Sequence, residues 1–419
     1  MPSYLDTLHR SLHQHLPALI PPSSSAHTAP WLATLAILIP SILLLTPLVS
    51  PAPPKRTKVI KPTSERVLII GASSGCGEDL AKRYASLGAS VCIVARSKNN
   101  LEQVAAKCRT LLPAGSNASN KVLLYAGDIC NPDDMIAVRE LIVKEWQGLD
   151  TLHIISGLSS TQTLLEVSNV SQNPINSASS VGEASQHAKR HHHFEAMVSE
   201  KTASGNNSEE YALPGKEGLH ALAEEMRRLA DVNMTGVAVS IATFLPLLSS
   251  TSPSPLIHHL SSVAGLVPAP TRALYAATKA GGLACFRSAA VENGGGRSGV
   301  RFLATCPGTI DNDFRRKSAS SARGIAPAEG FDRALLSVDD VTNAIIYHCS
   351  LSPEPAPISI PLPIPFTGRS LSLQVPFFKL PQNDTVFLPS FPYRPGYWLL
   401  DTPLRGITER MARRKYGLE

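Results

Sequence analysis

Ser262, Tyr275 and Lys279 stand in the run SSVAGLVPAPTRALYAATKA, residues 261–280, and their types and spacing define one chemistry. Tyr275 and Lys279 are four apart, so they share a face of any helix that holds both. An ammonium beside a phenol favours the phenolate and lowers the phenol pKa. That moves the phenol toward the range where proton transfer is efficient. Ser262 closes an apolar strand, so its hydroxyl can bind a carbonyl oxygen beside the phenol. A ketone that takes a hydride at carbon needs such a proton at oxygen. Tyr-x-x-x-Lys alone carries little weight in a chain with nine tyrosines. Its position after a strand ending Ser-Ser, and downstream of a glycine turn, gives it weight.

That turn is VLIIGASSGCG, residues 67–77. Gly71, Gly75 and Gly77 follow an apolar strand and open a helical pattern. Glycine permits the tight turn, the approach of a pyrophosphate to the backbone, and close packing of helix on strand. The helix N-terminus offers unpaired N–H groups to phosphate, and Ser73 and Ser74 add hydroxyl donors. The alternative is an ordinary strand-to-helix turn. The next strand ends in Arg96 and Ser97, with no acid to hold ribose hydroxyls. A guanidinium and a hydroxyl suit a 2′-phosphate, so NADP(H) is expected; the alternative is a solvated surface arginine.

The elements that must position these groups alternate. Apolar strands are expected at 66–70, 90–95, 121–126, 152–155, 256–261 and 300–305. Helical periodicity follows Gly77 and recurs over 101–112, 133–146, 219–229, 272–291 and 338–349. Strands apolar throughout, alternating with helices, imply an α/β, doubly wound parallel sheet covered on both faces. The rhythm breaks at 159–215, a Ser-, Asn- and His-rich stretch with the composition of a disordered insertion. Residues 351–419 form a proline-rich, apolar and finally basic extension, whose tail has the pattern of a short amphipathic helix.

The 419 residues are 43% hydrophobic and 17% charged, with a formal charge of +6 spread toward both ends. No basic stripe marks a nucleic-acid surface. The seven cysteines include no CxxC pair and read as reduced core thiols of a cytosol-facing protein. His191–His193 lack partner ligands at site spacing, so no metal is expected. Residues 31–49 are uncharged and about long enough to cross a bilayer. Three readings compete: a cleaved signal, a buried core helix, and a transmembrane anchor. No small-residue cleavage site follows, and Pro40 and Pro47 are costly in a soluble helix but tolerated in a membrane. The anchor is the favoured reading. Lys55, Arg56, Lys58 and Lys61 follow it, which puts the C-terminal side in the cytosol. The organisation is then a tail (1–30), an anchor (31–49), a linker (50–64), a catalytic domain (65–350) and the extension (351–419). The anchor is expected to be single-pass, in the endoplasmic reticulum or another intracellular membrane.

These motifs together resemble the short-chain dehydrogenase/reductase family, classical type, in its membrane-anchored dehydrogenase/reductase-like members. GASSGCG is similar to its TGxxxGxG, and SSVAG with YAATK to its serine and YxxxK elements. VNMTG at 232–236 is similar to the helix bearing a catalytic asparagine, here Asn233. GDI at 127–129 and CPGTI at 306–310 are similar to the adenine-contacting segment and the loop over nicotinamide. The resemblance covers residues 65–315 and implies a Rossmann-type fold. It implies Tyr275 as acid/base, Lys279 holding the nicotinamide ribose and tuning the phenol, and Ser262 orienting the carbonyl. Asn233 would hold a water that links Lys279 to solvent. Gly71, Ser73, Ser74, Gly75, Cys76 and Gly77 would line the pyrophosphate; Asp128, Ile129, Ser156, Gly157, Pro307, Gly308, Thr309 and Ile310 would complete the cofactor site. Three positions depart from the family: Ile70 replaces a threonine, IISG at 154–157 replaces NNAG, and Asn312 replaces the threonine of PGxxxT.

The resulting expectation is an NADPH-dependent oxidoreductase that reduces a ketone or oxidises the corresponding secondary alcohol. The anchor and the apolar extension suggest a lipid-like substrate such as a long-chain ketone, an acyl ketone or a sterol. Family members often pair through helices, so a homodimer is compatible. The alternative is a nucleotide-binding membrane scaffold that uses the insertion to hold partners without turnover.

Overall fold

The computed structural model describes residues 56–115, 121–169, 213–293, 299–312, 314, 335–351, 358–363, 370–375, 383–388, 393, 397, 399–400 and 405–415. The anchor expected at 31–49 and the 170–212 part of the insertion lie outside them. The strands in chain order are β1 (Arg66–Ile70), β2 (Ser90–Ala95), β3 (Val122–Ala126), β4 (Thr151–Ile154), β5 (Leu256–Leu260), β6 (Arg301–Pro307), β7 (Ile358–Pro363), β8 (Ser370–Val375) and β9 (Asn383–Leu388). The helices are α1 (Gly75–Ser86), α2 (Lys98–Leu111), α3 (Pro132–Trp146), α4 (Lys216–Ala230), α5 (Gly236–Thr251), α6 (Ala273–Asn293), α7 (Val338–Ser350) and α8 (Arg405–Lys415). Contacts divide the chain into two units, Pro53–Pro355 with Pro376–Glu419, and Met1–Ala52 with Ala356–Val375. In the latter, β7 and β8 form an antiparallel pair with Ile358 opposite Val375.

The larger unit is a seven-stranded sheet in the order β3-β2-β1-β4-β5-β6-β9, parallel throughout. Leu68 and Ile70 face one side with α3, α5 and α6. Val67 and Ile69 face the other with α1, α2 and α7. Both faces are covered because the strands are apolar on both, each fully buried aliphatic side chain contributing about 1.5–3 kcal/mol. The helices start where their caps stand. Ser97 accepts from Asn100 N, Asn131 accepts from Asp133 N ahead of Pro132, and Ser337 forms a capping box with Asp340. Strand order reverses between β1 and β4, and such a switch opens a crevice at the C-terminal ends of the strands.

Three features depart from the pattern read along the chain. A π turn, Asp231–Thr235, joins α4 to α5, so helix continues to Thr251 despite Pro246; Phe244 and Leu248, fully buried, offset the lost backbone bond. The run Lys216–Thr251 is long and apolar enough to cross a membrane by length and composition, yet 44% of its most apolar stretch is buried in the protein. The third departure is β9, which pairs with β6 from Phe302–Asn383 to Pro307–Leu388 and carries the sheet past residue 350.

Within the sheet, two buried histidines, His153 on β4 and His258 on β5, bond to each other. His153 lies 3.0 Å from both Tyr84 Oη and His258 Nδ1, and His258 Nε2 lies 3.0 Å from Thr305 Oγ1. Burial holds His153 well below its ordinary pKa and His258 down to about 3, so both are neutral.

At the opposite end from the crevice, Arg66 grips Asp150 bidentately, Nε to Oδ2 and Nη2 to Oδ1, each at 2.9 Å. Burial alone would raise the Asp150 pKa, but hydrogen bonds from Arg66 and Ser252 hold it below 3.8. A depressed carboxylate adds stability above the unfolded value of about 3.9 and loses it as pH falls through the folded value. Asp150→Asn is therefore expected to lower unfolding free energy by about 2 kcal/mol at pH 7. Urea denaturation should show that deficit shrinking as pH drops below about 4, where the wild-type carboxylate protonates.

Candidate active site

β1 delivers the chain into a turn that tolerates no side chain at two positions. Gly71 has φ +98°, and a Cβ there would meet Ser156 N at 2.5 Å. A Cβ on Gly77 would meet Gly71 O at 2.1 Å. The first contact seats β1 against the segment after β4; the second seats α1 on the turn. Ser74 precedes α1 and its hydroxyl makes no cap bond, so the first-turn amides and the Ser73 and Ser74 hydroxyls are suited to an anion. Cys76 lines the same turn, its thiol pushed up to about 12 by burial, with Asp79 adding to the effect. At the end of β2, Arg96 is 71% exposed and lies 4.0 Å from Asp128. Asp128 Oδ1 accepts from Cys130 N, and Asp134 Oδ2 accepts from Asp128 N.

The groups read from the sequence as reacting stand just after β5 and on α6. Ser262 caps the short turn Val263–Gly265 by accepting from Ala264 N at 3.2 Å. Gly265 lets that turn press on α6, since a Cβ there would meet Ala280 N at 2.9 Å. Tyr275 and Lys279 both point inward, 5% and 3% exposed. Lys279 Nζ donates to Leu260 O at 3.2 Å. Burial pushes the ammonium down from 10.5 to about 8, with Cys306 acting weakly the other way. Asn233 sits in the π turn, an element frequent at functional sites. Its Nδ2 donates to Leu158 O at 2.9 Å and Thr278 Oγ1 at 3.0 Å, and its Oδ1 accepts from Leu158 N at 3.0 Å. The amide thereby ties the segment after β4 to α6, and its own fold position depends on Gly282, where a Cβ would lie 2.1 Å from Asn233 O.

These parts share one cavity of about 730 Å³ at the C-terminal ends of the strands. Every site residue read from the sequence lines it except Gly77, which packs behind the turn, and Asn233, which braces from behind. The cavity suits a dinucleotide on two observations. At the glycine turn the Ser74 hydroxyl makes no cap bond to α1 and stands on the cavity wall. A Cβ at Gly157 would intrude between Lys279 Nζ at 3.2 Å and Asn233 Oδ1 at 3.5 Å, so the space before these groups is kept clear by a glycine.

Sequence reasoning missed Ser159, Arg272 and Phe314, which also line the cavity. Arg272 precedes Tyr275 by three residues, a helical spacing that was legible. Ser159 lay at the start of a stretch read as an insertion, and Phe314 carried no local signal.

The family model described as short chain dehydrogenase matches residues 65–181 and 214–323. The chain is 42% identical over 87 residues to a hydroxysteroid 11-beta-dehydrogenase 1-like protein of Danio rerio, covering 21% of this chain and 28% of that protein. It is 37% identical over 103 residues to 11-beta-hydroxysteroid dehydrogenase-like 2 of Arabidopsis thaliana, covering 25% and 31%. The alignments thus span less than a third of these curated relatives. A solved short-chain type dehydrogenase/reductase from Mycobacterium marinum is 20% identical, with a TM-score of 0.49 over 70% of this chain and 92% of that one.

Proposed function

Because this chain belongs to the short-chain dehydrogenase family, we propose that it is an NADPH-dependent oxidoreductase that reduces a ketone, or oxidises the corresponding secondary alcohol. The observation that carries this is the convergence of Ser262, Tyr275 and Lys279 with the glycine turn on one cavity. In the reductive direction the Tyr275 phenol gives its proton to the carbonyl oxygen. The Ser262 hydroxyl hydrogen-bonds that oxygen and fixes its approach. The Lys279 ammonium stabilises the phenolate left behind. The Asn233 amide, bonded to Leu158 and Thr278, keeps α6 and the segment after β4 at constant separation. When bound, NADPH supplies the hydride; Gly71, Ser73, Ser74, Gly75 and Cys76 would hold its pyrophosphate. Asp128 and Ile129 would meet its adenine. Ser156, Gly157 and the loop from Pro307 to Ile310 would meet the nicotinamide half. In the oxidative direction the phenolate takes the alcohol proton.

Arg96 and Ser97 support NADPH over NADH. A guanidinium bonds a 2′-phosphate bidentately, each charged hydrogen bond being worth about 1.5–3 kcal/mol. Calorimetric titration of the full-length chain in detergent tests this. Wild type should bind NADPH at least tenfold tighter than NADH, and Arg96→Gln should weaken NADPH by about 10–100-fold while leaving NADH unchanged. Equal affinity of wild type for the two nucleotides would sink the NADPH assignment.

The substrate in this reading is a hydrophobic ketone. The relatives' names favour a sterol-like one, and the uncharged run 31–49 would anchor the chain where such lipids reside. Arg56, seven residues past that run, is buried at the N-terminal ends of the strands, where Nε donates to Ser254 O at 2.8 Å and Nη2 to Asp150 O at 3.1 Å.

A further inference from the structure

The reacting groups above use one cation, Lys279, yet a second stands over the same phenol. The Arg272 guanidinium carbon lies 4.5 Å from the centre of the Tyr275 ring. Its Nη2 donates to Ser159 Oγ at 2.7 Å, across 113 residues of chain. Its Nε is buried with no hydrogen-bond partner among the described residues. Phe314 meets the Tyr275 ring edge-on, centroids 6.3 Å apart.

Helix stability does not explain this placement. Arg272 stands at the N-terminus of α6, where Ala276 N donates to its carbonyl at 2.7 Å. A cation at that end opposes the helix dipole, and a buried donor left unbonded costs free energy. Both costs are offset if the charge does something for its neighbour. A cation over an aromatic face is attracted to the ring's electrons, and that attraction grows when the phenol becomes a phenolate, because Coulomb attraction is added at short range.

We propose that Arg272 is a positioning residue for Tyr275: held by Ser159 over the ring face, it stabilises the phenolate and so sets the proton affinity of the acid/base. The proposal rests on the assignment of Tyr275 as acid/base. Guanidinium groups as a class are cations throughout the working pH range. Lys279 is not, since burial brings it to about 8; above that value Arg272 is the cation left beside the phenolate. The other groups around this pair are neutral. Ser262, Ser159 and Phe314 carry no charge. His259 and Cys306, which face Lys279 from β5 and β6, are held uncharged by burial. Glu78 and Asp128 line the cavity from α1 and from the turn after β3, at its nucleotide end.

Ultraviolet titration of phenolate absorbance reads this without substrate or turnover. The difference between the full-length chain in detergent and its Tyr275→Phe variant isolates the Tyr275 transition. Arg272→Met should move that transition up by about one pH unit, a tenfold fall in acid dissociation constant. Arg272→Lys should recover part of the shift. Ser159→Ala, which frees the guanidinium without removing it, should move the transition the same way by less, and serves as the second probe if Arg272→Met does not fold. The tyrosine limb of the kcat/KM pH profile should follow, with NADPH affinity unchanged. An unmoved Tyr275 transition in both Arg272→Met and Ser159→Ala overturns the proposal. So does a raised KM confined to anionic substrates with the transition in place, which would make Arg272 a substrate anchor. Failure of the functional reading looks different: nucleotide does not bind, or turnover survives Tyr275→Phe, whatever the Arg272 titration does.

Discussion

Tyr275→Phe is expected to lower kcat/KM for ketone reduction by about 10²–10⁴-fold, the range supplied by a positioned general acid. The substitution removes one oxygen from a side chain that is 5% exposed and leaves the ring between Arg272 and Phe314. Packing is therefore retained, and NADPH affinity should stay within a few-fold of wild type. The loss should fall mainly on kcat, because the proton transfer belongs to the transition state and not to substrate binding. Stopped-flow oxidation of NADPH with a panel of lipid ketones, alongside nucleotide titration, makes the separation. Full activity in Tyr275→Phe would remove the acid/base assignment and shift weight to a protein that binds nucleotide without using this phenol.

Lys279→Met should abolish turnover and stabilise the fold at neutral pH. The ammonium is 3% exposed and hydrogen-bonds the carbonyl of Leu260, and burial pushes its pKa from 10.5 to about 8. A lysine depressed on folding costs stability wherever both folded and unfolded states are protonated, which is below about 8. As pH rises from about 8 toward 10.5 the folded state sheds the proton first, and the cost is relieved. The size of that cost is about 3 kcal/mol, from the pKa difference. Methionine fills nearly the same volume without charge. Urea denaturation should show the variant more stable than wild type by about 3 kcal/mol at pH 7, the two converging near pH 10. A variant less stable than wild type at pH 7 would mean that the ammonium is well solvated or paired in the folded chain. Loss of activity with gained stability is the trade expected of a charge retained for chemistry.

Much of this arrangement was legible along the chain. The six strands from Arg66 to Pro307 and most of their helices were readable because each is a short local pattern, apolar throughout or apolar at helical spacing. The pairing of Tyr275 with Lys279 needs only one helix, and the glycine turn only three glycines whose backbone demands are local.

What escaped depends on contacts between distant segments. β9 sits in a proline-rich stretch and is a strand because β6, more than seventy residues earlier, offers it an open edge. The helix through Pro246 survives because the sheet buries its apolar side. Asn233 resembles a motif residue in the sequence, but only the π turn and the amide bonds to Leu158 and Thr278 reveal it as a brace. Arg272 and Ser159 are unremarkable alone; they meet over the Tyr275 ring because the segment after β4 and the start of α6 converge at the strand ends. The sequence by itself determined the chemistry available, a phenol, an ammonium, a hydroxyl and a glycine turn, because those depend on residue type and local spacing. The tertiary structure alone decided the surroundings of that chemistry, the burial that lowers the Lys279 pKa and the guanidinium above Tyr275, because burial and electrostatic proximity arise between segments that the chain order keeps apart.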